Sequence, residues 1–154
     1  MNIRMLPVVI AAAALSFGVQ AAHGEDLEPK AEQLVTEAKK VQLEAEDISK
    51  ALKPRDFDLP KVKEMMTTLD EHIQKVDALV KELAPFEAGM TAAQKSRYEA
   101  VKMKSQLLTV FATNKKTMLD GGDAAKNRGL LRAKADGIAQ RAEMLQKSAM
   151  ALRR

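Results

Sequence analysis

The stretch "MMTTLDEHIQ", residues 65–74, carries the one histidine downstream of residue 24, His72, a helical turn or two from Met65 and Met66. An imidazole and a thioether on opposite sides of a ring are the axial ligands of a b-type haem. Met65 and Met66 share a segment with His72 and cannot reach across such a ring. The opposing ligand must come from elsewhere, from Met103 or Met118. Other metals fail on spacing. A di-iron helix needs Glu-x-x-His, and the residue three before His72 is Leu69; a zinc helix needs a second histidine four residues away, where Thr68 and Val76 stand. His23 joins a new N-terminus in weak copper binding only if a leader is cut after Ala21. The expectation is therefore a structural, half-buried His72 with no cofactor. The alternative is a haem b or metal-carrying bundle using His72 and a methionine.

Catalytic chemistry has less to work with. Asp70 and Glu71 adjoin His72 in sequence but project from other faces of a helix, so they cannot orient it. The chain has no cysteine, no serine elbow and no glycine-rich phosphate loop. Ser105 reads as a small residue in a tight core layer. Carboxylates such as Glu37 and Glu44 are expected on solvated surface. The chain is expected not to be an enzyme.

The elements that position these residues announce themselves by period. Apolar residues recur in alternating steps of four and three at Leu27, Ala31, Leu34, Ala38, Val41, Ala45, Ile48 and Leu52. They do so again at Leu59, Val62, Met66, Leu69, Ile73, Val76, Val80 and Leu83, and a fourth series runs from Leu131 through Ala135, Ile138, Ala142, Leu145 and Ala149 to Leu152. Strands alternate by two; these series hold one helical stripe against a partner over three or more heptads. The third series is weaker: Tyr98, Val101, Ser105, Leu108, Ala112, Lys115 and Leu119, with Phe111 and Met118 beside it.

Pro29 and Pro60 suit first helical turns, and Thr91 with Gln94 forms a capping box. "KPRDFD", "APFEAGM" and "DGGD" are breaks. Gly129 and Gly137 place the start of the fourth helix near Leu130. Helices of similar length joined by short loops predict an all-α, antiparallel up-down-up-down four-helix bundle. Alanines at 31, 38 and 45 face alanines at 135, 142 and 149 in that arrangement, so the first and fourth helices approach closely and leave little room between them. The same heptads can also pair between chains as coiled coils.

Residues 1–24 read as a secretory signal peptide, with Arg4 ahead of an apolar run from Met5 to Val19 and small residues before cleavage after Ala21 or Gly24. Fifteen helical residues span about 22 Å, short of a bilayer core of roughly 30 Å, so a removable leader is expected rather than an anchor. The remainder, 25–154, is expected to be one domain, exported to the periplasm. Without cysteine it forms no disulfide, lipoprotein anchor or c-type haem. At about 130 residues it can bury roughly two thirds of its unfolded surface without such staples. Aromatic residues are scarce and tryptophan absent, which disfavours sugar and nucleic-acid surfaces.

Charge is divided along the chain. Residues 25–86 hold 10 Lys and Arg against 15 Asp and Glu; residues 87–154 hold 14 against 6. An acidic hairpin thus precedes a basic one. The two halves complement each other, or the basic half offers a face to an anionic partner. "MTAAQKSRYEAVKMK", residues 90–104, resembles the LTxxQ segment of the Spy/CpxP-like periplasmic stress chaperones: Met90 stands for the leucine, and Thr91 and Gln94 follow at the same spacing. The resemblance covers about fifteen residues and one copy of a motif that the family shows twice. It implies an exported, non-enzymatic helical protein holding unfolded clients on a basic surface. The architecture is also similar to that of four-helix periplasmic b-type cytochromes, in fold alone: the first helix lacks their methionine and the fourth their histidine. The expected activity is binding, to a protein or an anionic envelope component, with no nucleic acid and no membrane span. The expected contact groups are Lys95, Arg97, Lys102, Lys104, Arg132 and Arg141.

Overall fold

The computed structural model describes residues 27–113 and 124–153, and these are largely helical with no strand. Among the described residues four α-helices follow one another: α1 (Leu27–Ala51), α2 (Leu59–Glu82), α3 (Ala92–Ala112) and α4 (Ala124–Leu152), with a short 3-10 helix at Ala84–Gly89 between α2 and α3. The leader reading falls on residues outside those described, as do Lys115, Met118, Leu119, Gly121 and Gly122. Among the described residues no helix is long and apolar enough to cross a membrane.

Local chemistry sets the helix starts. Asp58 caps α2 by accepting from the Lys61 N–H at 3.1 Å, with Pro60 in the first turn where no N–H is needed. Thr91 opens α3 with the full capping box: its hydroxyl accepts from the Gln94 N–H at 3.2 Å, and the Gln94 carboxamide oxygen accepts from the Thr91 N–H at 3.0 Å. This pairing is what the Thr-x-x-Gln spacing does here.

The described apolar residues of the four heptad stripes form a single core, the arrangement of a helical bundle. α1 packs most extensively on α4; α3 on α4 and α1 on α2 pack less closely, and α2 on α3 less again. Ala31, Ala38 and Ala45 on one side, and Ala135, Ala142 and Ala149 on the other, are at most 2% exposed. Methyl groups in place of longer side chains let the two helix backbones close on each other. At the ends, Lys30 pairs with Glu82 and Arg153 with Glu28, so the start of α1 lies beside the ends of α2 and α4. Arg128 donates to the Lys53 carbonyl and Arg97 to that of Ala151, which sets the start of α4 beside the end of α1 and the start of α3 beside the end of α4.

The fourth helix corrects the expectation that it begins near Leu130. It already runs from Ala124, through both glycines. Gly137 has a packing reason: a Cβ there would sit 2.6 Å from the Phe111 ring, which lies across it from α3. The Arg141 guanidinium stacks 3.7 Å from the centre of that ring and donates to the Gly137 carbonyl. At Gly129 a methyl group would meet nothing within 4 Å. Gly129→Ala should therefore stabilise the fold by about 0.5–1 kcal/mol in urea denaturation. At Gly137 the same change should gain less, because it displaces the ring and the guanidinium resting on it.

Candidate functional site

His72 lies on the flank of α2 beside its core stripe, half-buried as its register predicts. Its partner is Glu37 of α1: Nδ1 meets Glu37 Oε1 at 2.5 Å, and Lys40 donates to Oε2 at 3.1 Å. Glu37 is only 7% exposed. This overturns its expected place on solvated surface. It precedes Ala38 in the α1 stripe, and the neighbouring helix α2 closes over it. Burial acts to raise the Glu37 carboxyl, but hydrogen bonds from His72 and Lys40 outweigh it and hold the group below the ordinary carboxylate value. Glu44, one heptad further along α1, is half-buried rather than solvated. Burial, with Asp47 nearby, raises its carboxyl, while His72 opposes the shift.

The pair ties α1 to α2 through charge-assisted contacts and fixes the imidazole by one nitrogen, leaving Nε2 as the position for any ligand. Among the described residues no three His, Asp or Glu side chains gather to hold a metal. Met103 lies on the outer surface of α3, 55% exposed, rather than across a cavity from His72. Beside the pair an open groove of about 440 Å³ runs between α1 and α2, lined by Thr36, Glu37, Lys40, Lys75, Leu79 and Glu82. A smaller cleft of about 270 Å³ between α2 and α3 reaches Tyr98, Lys102 and Ser105. Ser105 is buried as expected, and its hydroxyl has no hydrogen-bond partner. The Tyr98 hydroxyl donates to the Val80 carbonyl at 3.3 Å.

The six basic groups singled out in the sequence divide into two sets. Lys95 and Arg132 are exposed. The others have partners within the fold. Arg97 donates to the Ala151 carbonyl at 3.0 Å, Lys104 to the Ser148 hydroxyl at 2.5 Å, and Arg141 covers Phe111. Lys102 pairs with Glu99 and, at 3.7 Å, with Glu87, its ammonium 4.7 Å from the Tyr98 ring centre. Arg97, Lys104 and Phe111 recur every seventh residue of α3 and line its seam with α4.

A feature not singled out in the sequence lies just outside that seam. α3 carries a second apolar series, pointing outward: Ala100, Met103, Leu107 and Val110, again in steps of three and four. Met103, Leu107 and Val110 are 55%, 51% and 72% exposed. The Lys104–Ser148 and Phe111–Arg141 contacts bracket Leu107 and Met144, so Met144 of α4 stands at the same level across the seam, 43% exposed. The signal was present as periodicity on the face opposite the core stripe.

No family model, curated protein or solved structure matches this chain.

Proposed function

We propose that this chain is an exported, non-enzymatic helical bundle that works by binding polypeptide, in the manner of a periplasmic chaperone. In this reading residues 1–24 are a cleaved leader, and 25–154 form one up-down-up-down bundle with neighbouring helices antiparallel. The observation that carries it is the outward stripe of α3. Three large apolar side chains stand in solvent on a helix whose own core stripe is already satisfied, within the basic half of the chain. Contiguous exposed apolar surface of this kind is the usual mark of an interaction site. Unfolded segments offer it apolar side chains, and acidic ones are drawn by the surplus of Lys and Arg. Methionine at two of the four main positions suits a surface that must adapt to varied sequences.

The purified chain should suppress aggregation of a model client held at substoichiometric to equal ratio. Suppression should weaken as salt rises from low to about 0.5 M, because exposed charge pairs are screened within a few ångströms there. Absent or salt-indifferent suppression removes the basic face from the account. The second reading, a haem b or metal carrier, draws on the Glu37 carboxylate at His72 Nδ1, the kind of partner that orients a ligating imidazole. A preparation from the native envelope with neither a Soret band nor stoichiometric metal disposes of it.

A further inference from the structure

We infer that Met103 and Met144 form a reversible oxidation site, whose conversion to sulfoxides turns the outward stripe of α3 polar while the bundle stays folded. The inference goes beyond the binding role proposed above, because it concerns the chemistry of the face itself, whatever that face receives.

The chain holds no cysteine and no tryptophan, so its thioethers are the side chains most open to a two-electron oxidant. Burial sorts them. Met66 and Met90 are 5% and 7% exposed and belong to the core, with Met65 packed partly against it. Met103, Met144 and Met150 stand in solvent. Two of these three flank one apolar residue: Met103 lies a turn before Leu107 on α3, and Met144 stands level with Leu107 across the seam. Met150 is six residues beyond Met144, a rotation of about 600°, so it projects from a different side of α4.

The oxidant is a peroxide. A sulfur lone pair attacks one oxygen of hydrogen peroxide, the O–O bond breaks, and the other oxygen leaves as water with both protons. Sulfur gives up two electrons, the peroxide gains them, and a flexible apolar side chain becomes a polar sulfoxide. The fold does not depend on either sulfur. At this level α3 is held to α4 by Lys104 on Ser148 and by Arg141 on Phe111, and Ser148 donates to the Met144 backbone carbonyl at 3.2 Å, which oxidation leaves intact. What changes is the surface. Leu107 is left between two S–O dipoles, and a contiguous apolar patch is broken up.

The test treats the full chain with hydrogen peroxide and quenches it at intervals. Peptide mapping by mass spectrometry gives a rate for each methionine, and Nile red, a neutral dye that brightens on apolar surface, reports the stripe. Met103 and Met144 should oxidise at least about tenfold faster than Met66 and Met90. Dye binding should fall about threefold while the melting temperature moves by less than about 2 °C. Methionine sulfoxide reductases should restore the dye signal. Met103→Leu/Met144→Leu should keep its dye through the same treatment, whereas Met150→Leu should lose it as the native chain does. Met103→Gln/Met144→Gln, polar from the start, should bind little dye without peroxide.

Oxidation of Met66 or Met90 in step with Met103 overturns the inference. So does a melt that collapses together with the dye signal, or equal dye loss in Met103→Leu/Met144→Leu. If peroxide leaves dye binding untouched while the chain protects its client, the oxidation site falls and the binding role stands. If mapping and dye behave as expected but neither form protects a client, the oxidation site stands and the chaperone-like role falls.

Discussion

Ala142→Leu should lower the melting temperature by about 10 °C. Ala142 is fully buried where α1 and α4 pack together, with Ala38 and Ala45 fully buried on the facing helix. Three added heavy atoms must push the two backbones apart or force strained rotamers, and overpacking of a filled core costs about 3 kcal/mol at the upper end of its usual range. For a domain of this size each kcal/mol is worth roughly 3–5 °C. The direction of the change is the informative part. Were the alanine columns the walls of a cavity, leucine would fill it and the melting temperature would rise. Ala133→Leu, on the exposed side of the same helix, serves as the control and should shift stability by no more than about 0.5 kcal/mol. A calorimetric melt of the three proteins decides it.

His72→Leu should cost about 2 kcal/mol, and Glu37→Leu/His72→Leu should recover most of that loss. The single change leaves a buried carboxylate with Lys40 as its remaining neighbour, and an under-satisfied buried charge is what makes such truncations severe. Removing both members leaves a leucine pair between α1 and α2 that buries well. The pair also writes a signature in pH. Glu37 titrates below its ordinary value when folded, so its contribution is complete above the unfolded value near 4.5 and is lost as pH falls through the folded one. Urea melts across the acid range should therefore show the native chain losing stability more steeply than the double variant. Parallel curves would remove Glu37 from the account of acid sensitivity.

Much of this architecture is legible in residue order. The three-and-four steps place nearly every core side chain on its helix, the Thr91–Gln94 and Pro60 signals mark where α3 and α2 begin, and the alanine columns name which two helices pack most closely. What escaped depends on meetings between distant segments. Glu37 belongs to the polar flank by its own neighbours, and only His72, 35 residues later in the chain, turns it into a buried partner. Gly137 looks like a flaw in α4 until Phe111 is laid across it from α3. The outward stripe of α3 escaped for another reason. Two apolar series on one helix blur each other in a linear reading, and the core series in that segment is the weakest of the four. The Lys and Arg groups were legible as a surplus, whereas the division between exposed Lys95 and Arg132 and the partnered remainder depends on which residues α3 and α4 bring together.

Among the described residues the closest embrace joins α1 to α4. A chain made from its N-terminus onward holds the alanine face of α1 bare until more than seventy further residues have appeared, so early fragments lack the neighbour that fits them best. Loops must be closed before those contacts can reward the closure. Partial chains of this protein are thus themselves the kind of sticky, incomplete polypeptide that a holding partner exists to shelter.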